Sequence, residues 1–401
     1  MNITMLTNQS IDRPTGIGRF YPLAKEIVKK GHSVSIIGLH PALKSITKHE
    51  FYDHGININY VGQMPIKNID NQKKYLDNIE LLTVVFSSSL KMGLASLSTP
   101  SDVIHIFKPQ PINGVSGLFA KYIKHKRLYL DCDDYEAQAN QFSSGFQRKT
   151  FEIFEDNLQK FCKGLTVNTQ FLKDRYANLG FPENKIVYVP NGIDSERFSN
   201  IEKDKCKYLK QKLNLDDKQV ILYFGNMGTT SGYAVELLID AFVIVHNKIK
   251  DSVLLLVGGG EDLELLKKYA VDKGLSQHIV FVGQVSASQI PHYIKIADVS
   301  VEPIRKDGAT AARFPLKILE SMAVGVPVIT SNVGDRSEIL EKGRSGIFAE
   351  ANNAESIAVA IINILQDSDL KQKIIRNANK RIKYYYWSNL VNLFLKVYEL
   401  E

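Results

Sequence analysis

The sequence predicts an α/β protein of two doubly wound, Rossmann-like units in tandem. Three observations predict it: short apolar strands alternate with amphipathic helices, the alternation restarts past the midpoint, and 401 residues exceed what one core usually serves. Taken in order, the first unit offers strands in "ITML", "SVSIIGL", "ININYV", "DVIHIF", "RLYLDC", "GLTVN" and "KIVYVP". The second opens on "VILYFG" and continues through "SVLLLVGGG", "IVFVGQV", "VSVEP" and "PVITS". Between these lie helices in "AVELLIDAFVIVHNKI", "EDLELLKKYAVDKG", "SQIPHYIKIA" and "FPLKILESMAV". Pro190, Asn191 and Gly192 punctuate the join, so the domains are drawn at 1–192 and 193–374, with residues 375–401 helical.

Bulk properties exclude little. A formal charge of +7 suits anionic small molecules, a membrane surface or nucleic acid alike. The three cysteines, Cys132, Cys162 and Cys206, show no CxxC spacing and cannot all pair, which argues for a reducing compartment and against a zinc site. The start lacks a basic leader, and no stretch reaches the roughly 18 apolar residues of a membrane span. The expectation is a cytoplasmic protein whose membrane contact, at the inner face, is peripheral.

The stretch "ARFPLKILESMAVGVPVIT" concentrates the chemistry. Pro315 suits a first helical turn and Gly325 a helix end, so Arg313, Lys317 and Glu320 are expected on one helical face. Cations beside a helix N-terminus favour a diphosphate, and Glu320 could accept from a sugar hydroxyl. The plain alternative is a surface helix with a Lys–Glu pair. In "RPTGIGRF", Gly16 and Gly18 open a helix after the first strand without a full GxGxxG, and Arg19 follows. "VGGGEDLELLKK" reads equally as close ligand approach or as tight packing of helix on sheet. "YFGNMGTTSG" has the glycines of a phosphate loop but no lysine, so it is not a Walker A site. "LDCDDYEAQ" brings Asp131, Asp133, Asp134 and Glu136 to a strand end, where they could bind metal, act as base or orient a hydroxyl; solvated turn acids are the alternative. His105 lies within a strand and reads as a core histidine, whereas Lys108 at that strand's end is freer to meet an anion. "KYIKHKR" is either a membrane-surface or acidic-acceptor patch, or a solvated helix face.

In order and spacing, "PNGID", "ILYFGNMG", "LLLVGGGEDLELLK", "IVFVGQV", "IADVSVEP" and "FPLKILESMAVGVPVITSNVGDRSEIL…GRSGIFAE" resemble the retaining glycosyltransferases of family 4. The resemblance implies the GT-B fold: an acceptor-binding first domain, a second domain binding a nucleoside-diphosphate sugar, a cleft between them, and a last helix crossing back, here from about Ile375 with Trp387. It implies that Glu320 binds the donor ribose, while the family's first motif glutamate falls on Ala312, its contact missing or supplied by a neighbour such as Asp307. The family's loop Arg and Lys are replaced by Asn226 and Ser231, and Lys317 with Arg313 would take over the diphosphate charge as the catalytic cations. Gly16, Gly18, Asn226, Leu316 and the backbone of Gly283 to Val285 complete the implied donor site; Asp133, Asp134, Lys108 and Arg19 are the acceptor-side candidates. The family's acceptor-domain histidine corresponds to Phe107. No metal or other cofactor is expected. The implied activity is sugar transfer from a nucleoside-diphosphate sugar to a glycan or lipid-linked hydroxyl in cell-surface polysaccharide synthesis, with peripheral contact to anionic membrane and no nucleic acid. Two alternatives stand beside it: a GT-B nucleotide-sugar epimerase, and a non-catalytic partner or scaffold.

Overall fold

The computed structural model describes residues 1–401 except 14, 70, 71, 76, 77, 141, 143, 229–231 and 401, and the backbone alone for 66–69, 72–75, 78 and 79. The chain forms two compact units, one of Met1–Asn191 with Trp387–Glu401 and one of Gly192–Tyr386. The first division falls at Asn191/Gly192. The return falls at Trp387 and not at Ile375, because Ser368–Arg381 is a helix of the second unit, with Ile374 and Ala378 in its cores.

The first unit holds β1 (Asn2–Thr7), β2 (Ser33–His40), β3 (Glu50–Asp53), β4 (Ile56–Gln63), a hairpin of β5 (Ile66–Ile69) and β6 (Gln72–Tyr75), β7 (Val103–Phe107), β8 (Arg127–Cys132), β9 (Gly164–Val167) and β10 (Ile186–Tyr188). Its main sheet runs β10-β9-β8-β7-β1-β2-β4-β3, parallel except that β3 lies antiparallel on β4. The central strands are apolar runs buried on both faces, as parallel sheets require, and β7 is buried at every residue, whereas β4 towards the edge alternates buried and half-buried residues. A helix at Asn78–Ser98 also belongs here, and sequence patterning did not find it. Its segment Glu80–Ser98, 19 residues of mean hydropathy 1.4, corrects the expectation that no stretch reaches the length and apolarity of a membrane span, by length and composition alone.

The second unit holds β11 (Gln219–Asn226), β12 (Ser252–Gly259), β13 (Ile279–Gly283), β14 (Val299–Val301), β15 (Val328–Ser331) and β16 (Ile347–Ala349). All pair in parallel in the order β13-β12-β11-β14-β15-β16. Strand β11 shows why both faces need helices: Ile221 and Tyr223 enter one core, Val220, Leu222 and Phe224 the other. Strand order reverses between β11 and β14 here, and between β1 and β7 in the first unit. Doubly wound sheets bind ligands beyond the carboxyl ends of their strands at such reversals.

Candidate active site

In the second unit the reversal sets the end of β11 beside the start of the helix Leu316–Val324. Pro315 is the N-cap of that helix (φ −85°, ψ 78°) and not part of its first turn, and no side chain caps it. Arg313 therefore lies off the helix, closing the short helix Gly308–Ala312. This corrects the single face expected for Arg313, Lys317 and Glu320; only Lys317 and Glu320 share the helix. Gly325 ends it at φ 80°, in the left-handed region open to glycine.

Two cations gather on one aromatic ring instead. The Lys317 ammonium lies 3.2 Å from the Tyr233 ring centre and 5.5 Å from that of Tyr223, and the Arg313 guanidinium lies 5.9 Å from Tyr233. Gly225 makes this arrangement possible: a Cβ there would overlap Lys317 Cε, and its φ of 134° already favours glycine. Lys317 also acts electrostatically on two carboxylates, buried Glu302 and half-buried Glu320, favouring their ionised forms.

Glu320 accepts a hydrogen bond from Arg197 (3.0 Å), which also donates to the Ala287 carbonyl (2.9 Å). Burial raises the Glu320 carboxyl above its ordinary range, opposed by Arg197 and Lys317. Behind them Glu302 forms a two-pronged pair with Arg336 (2.8 and 3.0 Å) and accepts from Thr330 (2.8 Å). Arg336 also reaches the carbonyls of Thr310 and Val333, tying the ends of β14 and β15 to the helix Gly308–Ala312. Sequence reasoning missed Arg197, Glu302 and Arg336. "SERF" beside "PNGID" was the available signal for Arg197; nothing local singles out the Glu302–Arg336 pair.

The remaining donor-side residues are accounted for as follows. Asn226 turns its side chain back to accept from the Gly228 N–H (2.8 Å). Ser231 lies outside the described residues. Ala312 is fully buried, and Asp307 caps the helix it ends by accepting from the Thr310 N–H (2.7 Å). A Cβ at Gly258 or Gly260 would strike the loop at Gly225 to Gly228, so the triple glycine serves packing of two loops. Gly283 has φ 82° with open space around it, while Val285 packs on the core and Leu316 is half-buried.

In the first unit, Gly16 is tightly packed against the carbonyls of Ser10 and Ile11, and the segment Gly16–Phe20 forms a π-helical turn that includes half-buried Gly18. Arg19 is fully buried and grips Asp131 by two 2.6 Å bonds, with Asn191 (2.6 Å) and the Val189 carbonyl (3.1 Å). Its guanidinium is consumed in holding the sheet end together, which removes Arg19 from the acceptor-facing groups. Lys108, at φ 75°, is likewise not free for an anion: its ammonium sits among Asp133 (3.1 Å), Asp134 (2.9 Å) and Glu136 (2.8 Å). Those three carboxylates bring oxygens within 4.8 Å of one another, as a cation would ask, and the lysine supplies the positive charge. Burial pushes the Asp133 carboxyl up to about 7 against the pull of Lys108. His105 is a core residue as expected, bonded to Tyr398 (2.8 Å) and driven by burial to about 3, hence neutral.

Comparisons with known proteins bear on the family and the fold. Residues 19–197 match the family Glycosyltransferase Family 4, and residues 205–381 match Glycosyl transferases group 1. The chain is 27% identical over 207 residues, 51% of its length and 53% of the relative's, to a GDP-mannose-dependent alpha-(1-6)-phosphatidylinositol monomannoside mannosyltransferase of Mycobacterium tuberculosis. It thus spans about half the length of that curated relative. Its fold is similar to that of sucrose-phosphate synthase from Thermosynechococcus elongatus (TM-score 0.74, 16% identity, 99% and 98% of the two chains). It is also similar to Anabaena HepE in complex with UDP-glucose (TM-score 0.72, 18% identity, 99% and 98%). The fold is GT-B.

Proposed function

Since the chain belongs to the family 4, group 1 glycosyltransferases, we propose that it moves a sugar, with retention, from a nucleoside-diphosphate sugar to a glycan or lipid-linked hydroxyl in cell-surface polysaccharide synthesis. The observation that carries this reading is the seating of Lys317 and Glu320 on one helix at the strand-order reversal, with Arg313 sharing the aromatic ring that holds Lys317. In it Lys317 and the uncapped helix start stabilise the negative charge that grows on the departing diphosphate. Glu320, steadied by Arg197, accepts from the donor ribose. No metal takes part, and Asp133, poised near neutrality, orients or deprotonates the acceptor hydroxyl. The relative named for GDP-mannose and the neighbour solved with UDP-glucose define the donors to try first.

The test is thermal unfolding of wild type, Lys317→Ala and Glu320→Ala with UDP, GDP, ADP and their sugar conjugates. A ligand at about 100 times its Kd adds roughly 2.7 kcal/mol of stability, a clear rise in melting temperature. One nucleotide should shift wild type, with most of the shift gone in both variants; equal shifts in all three would sink the site. A non-catalytic partner is the second reading, favoured by Asn226 bonding its own loop where a cation is usual and by Ala312 in place of a carboxylate. Nucleotide binding without turnover across a broad acceptor set would select it.

A further inference from the structure

The helix Asn78–Ser98 is built inside out. Its inward residues are Ser88, Ser89, Met92, Gly93 and Ser96, all buried, whereas Leu82, Phe86, Leu90 and Leu94 are 65, 74, 42 and 56% exposed. Those four recur every fourth residue and so form one stripe along the outer face. The inward serines are bonded: Ser88 donates to the Gln63 carbonyl (3.1 Å), and the Ser89 carbonyl accepts from Ser116 (3.1 Å) on the neighbouring helix Pro111–Lys124. That neighbour repeats the inversion, burying Gly114, Ser116, Gly117 and Ala120 while exposing Phe119, Tyr122 and Ile123. Gly93 faces Phe119 and Ser89 faces Ser116, so the two helices run side by side in the same direction and their exposed apolar residues are neighbours.

Beyond the end of this face the surface turns basic. Lys121 extends over the Phe161 ring and donates to the Phe161 carbonyl (2.6 Å). There it enters a cavity of about 710 Å³ whose lining includes Lys126, Arg127, Lys160, Lys163 and Lys185 and, among the described residues, no carboxylate. The cavity lies at the amino ends of β8 and β9, opposite the strand ends that hold Lys108 and Asp133.

We propose that this face of the first unit is a docking surface for an anionic phospholipid bilayer. In it the leucine and phenylalanine stripe enters the interface between headgroups and acyl chains, and the lysine cavity takes lipid phosphate. A spanning role is excluded by the serine side, which is bonded to the sheet edge and to the neighbouring helix. Apolar insertion and lipid phosphate each supply part of the binding, as in interfacial helices. A second copy of the chain would be the other occupant of an apolar face, but a symmetric pairing would set two lysine clusters of the same sign against each other. This surface belongs to the first unit and the donor residues to the second, and vesicle binding is read without nucleotide, so its test does not depend on the donor reading.

The experiment is sedimentation of the full chain with vesicles of phosphatidylcholine alone and of phosphatidylcholine mixed with phosphatidylglycerol, at low and high salt. Variants are Phe86→Ser/Leu90→Ser and Lys160→Glu/Lys163→Glu, each accepted only if its melting temperature matches wild type. Wild type should sediment with the anionic vesicles at low salt and far less with neutral ones. A lysine near such a surface contributes about fivefold, so the paired charge reversal should weaken partitioning by roughly thirtyfold or more. The serine pair should weaken it about tenfold or more. Equal binding by wild type and both variants, or none by wild type, overturns the proposal. So does a wild-type dimer in solution that the serine pair makes monomeric.

Discussion

Half-buried Lys317 is fixed by rings, and that distinguishes it from the buried cations. Arg19, Lys108 and Arg336 each form direct ion pairs with carboxylates, whereas the Lys317 ammonium rests on Tyr233 at 3.2 Å and acts on Glu302 and Glu320 only through space. Lys317→Ala should therefore lower kcat by about a hundredfold or more, the scale for removing one donor from a developing oxyanion. Lys317→Arg should recover part of it, and steady-state rates with the donor chosen by the melting assay check this. Arg197→Ala should act on binding first, raising the KM for donor more than it lowers kcat, because Arg197 touches Glu320 and not the diphosphate lysine. Glu155 supplies a pH-dependent case. It is buried and accepts from the N–H groups of Glu136 (2.8 Å) and Ala137 (3.0 Å), and burial raises its carboxyl to about 7 from an ordinary 4.5. A folded-state value above the unfolded one means that this contribution to stability is present below about 4.5 and is lost as pH rises through about 7. The loss is roughly 3 kcal/mol at most, from the size of that shift. Melting temperatures recorded across this window should fall less steeply for Glu155→Gln than for wild type.

At the level of elements, the loop ending β11 and the helix Leu316–Val324 form one device. Gly225→Ala should cost stability through its φ of 134° and also push Lys317 off Tyr233, so the nucleotide-induced melting shift should shrink as it does in Lys317→Ala. Gly274→Ala, at φ 72° with nothing around it, carries the backbone strain alone and should keep the shift. If both glycine variants keep it, Lys317 does not depend on that gap. Elements whose pattern records burial were legible: the apolar runs of β1, β7, β11 and β12, and the helix end at Gly325. The helix Asn78–Ser98 was not, since its serines face inward and its leucines outward, leaving no stripe that points to a core. The site was half legible. Lys317 and Glu320 share a helix and can be read from spacing, but Arg313 leaves the helix because Pro315 takes the N-cap. Arg197, Glu302 and Arg336 are partners across 123 and 34 positions, a relation that local pattern does not encode. Lys108 and Arg19 read as free cations because the carboxylates that neutralise them lie 28 and 112 positions away.

For the molecule as a whole, the decisive feature is that the first unit is discontinuous in sequence. Trp387, Leu390, Val391, Phe394 and Val397 are all buried in its core, in one cluster with Ile3, Phe20 and Leu23. Phe394 stacks on His105 at 4.8 Å, and Tyr398 meets the edge of that ring, its hydroxyl bonded to Nδ1. Burying a side chain of this size is worth about 1.5–3 kcal/mol. The five supply roughly 7–15 kcal/mol, as much as the whole net stability of an ordinary domain, about 5–15 kcal/mol. A chain cut after Tyr386 should therefore lose the cooperative melting of the first unit. The second unit, whose residues Gly192–Tyr386 are all retained, should still melt as one transition and still respond to nucleotide. Calorimetry with limited proteolysis separates the cases: cleavage confined to residues 1–191, with 192–386 resistant, is the expected pattern. Adding the segment 387–401 as a separate peptide should restore protection to the first unit, because its contacts are packing contacts that do not need the chain connection. If the shortened chain keeps both transitions, those apolar residues fill space around a core that is already stable, and the first unit is complete without them.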